Sequence, residues 1–148
     1  QIARAVELRL EYLRSILLPR DHTVETLTEL KASGYRLGLI SDCSSEVPLL
    51  WPETPFAALL DEAIFSCEVK LTKPDPSIYR MVCDSLEVAP DRCLYVGDGG
   101  SSELTGAVEF GMDPVLIRAP YDTVNGHRED WEGTRISELN QVLELVLG

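Results

Sequence analysis

The chain has 148 residues, 45% of them apolar and 26% charged, with a formal net charge of −12. Such a length and balance fit one globular domain with a full-sized core and exclude a disordered chain. The acidic surplus, with no run of Lys and Arg against it, argues against nucleic acid and membrane surfaces as partners. A few cations in a cleft would still allow a small anionic ligand.

Residues 1 to 18 place Ile2, Val6, Leu8, Leu10, Leu13, Ile16 and Leu17 at mostly helical spacing, and Pro19 ends that helix. The chain opens on Gln1 inside this pattern, which reads as the continuation of an earlier segment. A second helix is predicted from about His22 to Ser33, with Gly34 as its C-cap. The run RLGLISD (36 to 42) then reads as a buried parallel strand feeding a loop. EAIFS (62 to 66) is a second strand, followed by a helix from about Pro76 to Leu86. CLYVG (93 to 97) is a third, with a helix from about Ser102 to Phe110 closed by Gly111. PVLIR (114 to 118) is a fourth, and ISELNQVLELVL (136 to 147) reads as the last helix. TVNGHREDWEGT (123 to 134) reads as a polar surface connection. Strands alternating with amphipathic helices imply βαβ units and a parallel sheet, with ligands at the carboxyl ends of the strands.

Cys43, Cys67, Cys83 and Cys93 form no C-x-x-C pair and read as free buried thiols of a reducing cytoplasm. No apolar run is long enough to span a bilayer, and no signal-peptide pattern opens the chain.

Chemistry gathers at three strand ends. Ser41 stands where the first strand turns and offers a hydroxyl for an anion, although such a serine also serves as a turn or cap residue. Lys73, in KLTKPDPSIY, is framed by Pro74 and Pro76, which can hold its ammonium at a fixed point; Lys70 lacks that frame and ranks lower. Asp98 and Glu103 lie in VGDGGSSE, where Gly97, Gly99 and Gly100 allow a tight turn. Two carboxylates there suit a hard cation such as Mg²⁺, and they would equally suit a helix N-terminus. A dinucleotide-binding G-x-G-x-x-G would need Gly at position 102, which is Ser.

The order of these features resembles the haloacid dehalogenase-like hydrolase superfamily. Ser41 in LGLISD matches its second motif, Lys73 in KPDPSIY its third, and Asp98 with Glu103 its fourth. The resemblance runs from about Pro19 to Leu147 and is strongest to phosphatases with a helical cap. It implies an α/β fold, a three-layer Rossmann-like core with a parallel sheet. Residues 1 to 18 would be the tail of the cap and 19 to 148 the core domain. It also implies a Mg²⁺-dependent phosphatase that acts on a small phosphorylated metabolite through an aspartyl-phosphate. Asp98 would hold the metal, and Glu103 would bind it directly or through water. Ser41 and Lys73 would bind the phosphoryl group, with Asp42 beside them. Asp42 departs from the neutral residue more usual there and would repel phosphate unless paired or turned away.

The first motif of the family, Asp-x-Asp-x-Thr after a strand, does not occur in these 148 residues. The resemblance therefore implies a core lacking its first central strand, which would lie between the strands at 36 to 41 and 93 to 97. It also implies a chain without its nucleophile, inactive alone. A 2-haloacid dehalogenase and a non-catalytic binding module are the alternatives.

Overall fold

The computed structural model describes residues 2–122 and 128–148. It opens with helix α1 (Ile2–Ile16), followed by α2 (Thr23–Ala32), strand β1 (Gly38–Ser41) and a short α3 (Glu46–Leu50). Then come β2 (Glu62–Phe65), α4 (Ser66–Val69), α5 (Pro76–Leu86), β3 (Leu94–Gly97) and α6 (Glu103–Phe110). β4 (Asp113–Ile117), β5 (Arg135–Ile136) and α7 (Val142–Leu147) complete it.

Local chemistry sets the helix boundaries. Asp75 caps α5 by accepting the Ser77 N–H at 2.8 Å, and Pro76 occupies the first turn, where its missing N–H costs nothing. Helix α6 stops at Gly111, whose φ of 99° turns the chain out of the helix.

Every strand pairing is parallel, and the core is layered. Ile78, Tyr79 and Val82 of α5 and Ala107 of α6 pack with Ile64 on one face. Leu30 of α2, Val115 of β4, Ile136 of β5 and Val142 of α7 pack on the other. Ile78, Tyr79 and Leu104 are fully buried, each contributing about 1.5–3 kcal/mol.

The sheet is in two pieces. β1 pairs with β2, from Gly38↔Glu62 to Ser41↔Phe65, while β3, β4 and β5 form a separate ladder in that order. Between β1 and β3 lies a cavity of about 960 Å³, lined by Leu37, Leu39 and Ile40 on one side and Leu94, Tyr95 and Val96 on the other. Among the described residues no strand lies between β1 and β3, as the resemblance implied.

Three local expectations are corrected. The segment read as one helix over 136 to 147 is divided: Arg135 and Ile136 pair with β4, and the α-helix starts only at Val142. The two-residue step Arg135-Ile136 gains ladder hydrogen bonds along the edge of β4 that helical periodicity does not reveal. Of the four cysteines, all free, only Cys83 is buried. Within the connection at 123 to 134, residues 123 to 127 lie outside the described residues, and Arg128 and Glu129 are tied to the site rather than to solvent. Among the described residues, no helix is long and apolar enough to cross a membrane.

Candidate active site

The carboxyl ends of β1 and β3 meet through Lys73. β1 ends at Ser41, and the Oδ1 of the next residue, Asp42, accepts the Lys73 backbone N–H at 3.2 Å. The Lys73 ammonium then donates to Glu103 Oε2 at 2.6 Å. Three loops, after β1, before α5 and after β3, are thereby drawn to one edge. Asp42 accepts the Lys73 backbone N–H with one oxygen, a hydrogen bond to a neutral donor that leaves its charge without an ion-pair partner among the described residues. Lys70, by contrast, caps α4 and points to solvent.

The two acids of the glycine turn have different surroundings. Glu103 is buried, and three donors converge on it: Lys73 Nζ, the Tyr95 hydroxyl at 2.9 Å and the Gly99 N–H at 3.0 Å. Gly97 has to be glycine for this packing, since a Cβ there would collide with the Glu103 carboxylate. Tyr79, below, donates its hydroxyl to the Glu103 carbonyl at 2.9 Å. Burial, and then the negative charge of Glu103, push both tyrosine hydroxyls above their ordinary range, so both stay neutral donors. Asp98 has a side chain 49% exposed. One of its oxygens accepts the Gly100 N–H at 2.9 Å, and the other meets the Arg128 guanidinium at 3.1 Å.

The turn itself is left-handed at Gly99, Ser101 and Ser102, with φ of 81°, 56° and 50°. Glu129 stabilises the start of α6. Its carboxylate accepts the backbone N–H groups of Leu104 at 2.8 Å and Thr105 at 2.9 Å, capping the helix from a distant part of the chain. Sequence reading missed Glu129 and Arg128 because both sit in a polar connection remote from the turn. Their only signal is an acid and a base within a stretch otherwise free of periodicity.

As a half-exposed carboxylate at a strand end, Asp98 is the type of ligand that Mg²⁺ takes. Glu103 already has both oxygens engaged. Among the described residues, no three His, Cys, Asp or Glu side chains come together as a metal cluster. The residues present thus fit one ligand of such a site and do not complete it.

A family model described as haloacid dehalogenase-like hydrolase matches residues 2–111. The chain belongs to the haloacid dehalogenase-like hydrolases. It is 31% identical over 138 residues to a glyceraldehyde 3-phosphate phosphatase of Methanocaldococcus jannaschii, covering 89% of this chain and 57% of that protein. It is 35% identical over 97 residues to (S)-2-haloacid dehalogenase 4A of Burkholderia cepacia, covering 63% of this chain and 40% of the other. Among solved structures, the HAD phosphatase of Thermococcus onnurineus superposes with a TM-score of 0.73 at 27% identity, covering 86% of this chain and 57% of that one. The chain thus spans about half the length of the relatives it matches. As a haloacid dehalogenase-like hydrolase, it presents Ser41, Lys73, Asp98 and Glu103 on one edge of the fold.

Proposed function

We propose that this chain is the core-domain part of a Mg²⁺-dependent phosphatase acting on a small phosphorylated metabolite. The observation that carries the reading is the contrast between the acids of the glycine turn. Glu103 is buried and spent on fixing the Lys73 ammonium, whereas Asp98 is half-exposed and held only by the Gly100 N–H and the Arg128 guanidinium, a partner that a cation would replace. Bound Mg²⁺ would supply charge neutralisation at the phosphoryl oxygens, with Asp98 as the ligand from this chain. Ser41 would donate its hydroxyl to the phosphoryl group. Lys73, held rigidly by Glu103 and by the Asp42–backbone bond, would place two remaining N–H donors against the developing negative charge. The nucleophilic carboxylate would come from a strand-borne Asp-x-Asp-x-Thr outside these 148 residues, so the chain alone would be inactive. Exposed Ile2, Val6, Leu8 and Tyr12 along α1 support residues 1 to 18 as the tail of a helical cap.

The dehalogenase relative keeps a second reading in view, in which the same scaffold works without metal. The test is hydrolysis of p-nitrophenyl phosphate by the protein completed with its nucleophile-bearing strand. The expected result is turnover that a chelator abolishes and that Asp98→Asn removes. Release of halide from 2-chloropropionate in the presence of chelator, with no phosphate release, would replace the phosphatase by the dehalogenase.

A further inference from the structure

Two thiols stand at the same strand-end edge as the proposed site and have no role in it. Cys43 follows Ser41, the last residue of β1, by two positions, and Cys67 follows Phe65, the last residue of β2, by two. Ser41 and Phe65 are partners in the parallel ladder, so the chain leaves the two strands side by side. Neighbouring strands lie about 4.8 Å apart, within the roughly 4.4–6.8 Å between Cα atoms that a disulfide spans. The two sulfurs are 3.9 Å apart. Buried Ser66 fixes the approach: its oxygen accepts the Cys43 N–H at 3.0 Å and its O–H donates to the Cys43 carbonyl at 3.4 Å. The pair lies on the β2 side of β1, away from the gap in the sheet between β1 and β3, and rests on the β1–β2 ladder.

Surroundings separate this pair from the other two thiols. Cys83 and Cys93 are as close, at 3.8 Å, but Cys83 is buried and burial pushes its thiol up to about 12, which leaves almost no thiolate to react. Cys43 and Cys67 are both half-buried, and the residues beside them, Ser44 and Glu68, are exposed. Burial also pushes the Cys43 thiol up, and a hydrogen bond from the Ser41 hydroxyl pulls part of that back. Cys67 is therefore the thiol that a dissolved oxidant meets first, with Cys43 beside it to resolve the product. The Ser41 contact ties the pair to the site. Ser41 has one hydroxyl hydrogen. When that hydrogen turns to a phosphoryl group, the Cys43 S–H can donate to the Ser41 oxygen, whereas a disulfide sulfur has no hydrogen to give. Bridging also draws Cys43 toward α4 and pulls on Asp42, which holds the Lys73 backbone N–H.

We propose that Cys43 and Cys67 are a modification site, closed by hydrogen peroxide into a reversible disulfide that disables the Ser41 end of the candidate active site. The Cys67 thiolate attacks one peroxide oxygen and the O–O bond breaks. The departing hydroxide takes up the proton that the thiol had lost, which leaves a sulfenic acid and one water. The Cys43 sulfur then attacks the Cys67 sulfur, the S–O bond breaks, and the hydroxyl leaves with the Cys43 proton as a second water. Two thiols are oxidised by two electrons, and one peroxide is reduced to two waters. A dithiol reductant reopens the bridge by exchange. The sulfurs close from 3.9 Å to about 2 Å, a movement within reach of side-chain rotation. Bridge formation stands on this geometry alone, and its effect on hydrolysis rests on the phosphatase reading.

The experiment exposes the protein completed with its nucleophile-bearing strand to hydrogen peroxide, blocks the remaining thiols and maps bridged peptides by mass spectrometry. Cleavage after glutamate serves, since Glu46, Glu53 and Glu62 lie between Cys43 and Cys67. Hydrolysis of p-nitrophenyl phosphate with Mg²⁺ is read on the same samples. The expected result is a bridge joining the Cys43 and Cys67 peptides, lighter by two hydrogens and opened by dithiothreitol, with Cys83 and Cys93 left unbridged. Hydrolysis should fall at least about tenfold on oxidation and recover on reduction, because a misplacement of about 1 Å at a positioning group costs that much or more. Cys67→Ser should keep its hydrolysis under peroxide. Absence of the Cys43–Cys67 bridge at saturating peroxide would overturn the proposal, as would a Cys83–Cys93 bridge of equal yield. A bridge that leaves hydrolysis unchanged, or an equal loss in Cys67→Ser, would overturn the link to the site. A bridge in a protein that hydrolyses no phosphate even when reduced leaves the modification site standing and removes the phosphatase reading.

Discussion

The sharpest energetic statement concerns Lys73 and Glu103. Their side chains are 12% and 5% exposed, and the N–O distance is 2.6 Å. Removing one charge from such a pair leaves the other uncompensated in a poorly solvated place, at a cost of about 3–5 kcal/mol. Glu103→Ala also strips the Tyr95 hydroxyl and the Gly99 N–H of their acceptor, so it should fall at the upper end of that range. Glu103→Gln keeps an acceptor for one of them and should cost less. A domain of this size has about 5–15 kcal/mol of stability in total, so the alanine variant should lose a large part of it. At roughly 2–4 °C per kcal/mol, its Tm should fall by about 10–20 °C. Urea denaturation of Glu103→Gln, Lys73→Met and the double variant gives the coupling directly. The double should cost less than the sum of the singles by at least about 1 kcal/mol. Single variants that each cost under about 1 kcal/mol and simply add would have the energetics of an exposed pair. That result would refute the assignment of Glu103 as the buried anchor of Lys73.

The neighbouring contacts lead to further expectations. Asp98→Asn breaks a half-exposed pair with Arg128 and should change stability by no more than about 1 kcal/mol in urea, while abolishing metal-dependent hydrolysis in the completed protein. Glu129→Ala leaves the α6 N-terminus uncapped and should lower stability by about 1–2 kcal/mol, with exchange at Leu104 and Thr105 accelerated. Hydrogen bonds from Arg9, Lys31 and Arg20 hold the carboxyls of Glu46 (at about 2), Asp61 and Asp122 below their ordinary values. Folded values below unfolded ones mean that their stabilisation is complete above the ordinary values of 4.5 and 3.8 and fades as pH falls through the folded ones. The urea midpoint should therefore decline below about pH 4.5, and a flat midpoint down to about pH 2 would count against these pairs. Burial raises the Cys83 thiol to about 12, so a disulfide reagent at about pH 8 should label the half-buried Cys67 and Cys93 before Cys43, whose thiol burial also raises, and Cys83 only on unfolding.

The parts of this fold legible in the sequence are those set by local physics. The α5 boundary is readable because Asp75 and Pro76 suit the N-cap and first turn of a helix whose apolar spacing follows them, and the end of α6 because Gly111 can adopt a positive φ. Apolar runs feeding small polar residues located β1 to β4 to within a residue or two. β5 was not legible: two residues form a strand only because β4 offers them an edge, a condition the segment itself does not encode. The site divides in the same way. Ser41 and Asp98 stand at strand ends, Lys73 just ahead of α5 and Glu103 at the start of α6, boundaries that periodicity locates. Arg128 and Glu129 act through a connection whose path depends on tertiary packing. Nor does spacing tell Asp98 from Glu103. Both are acids in one glycine-rich turn, and only burial assigns them different partners.

That difference in burial bears on how the motif works. A lysine meant to meet phosphate has to be held still, since its flexible stem otherwise costs entropy each time the ligand binds. Glu103 holds it with a short ion pair, and Tyr95 and Gly99 hold Glu103 in turn. Tyr95 belongs to β3, one wall of the gap, and is only half-buried there. A strand docked beside β3 would exclude water from Tyr95 and so strengthen the whole chain of contacts up to the ammonium. The gap and the site are thus one energetic unit. Filling the first should raise the coupling energy between Lys73 and Glu103, and the double-variant cycle run on this chain and on the protein completed with its nucleophile-bearing strand measures by how much. Equal coupling in both states would mean that the lysine is fully positioned without the strand.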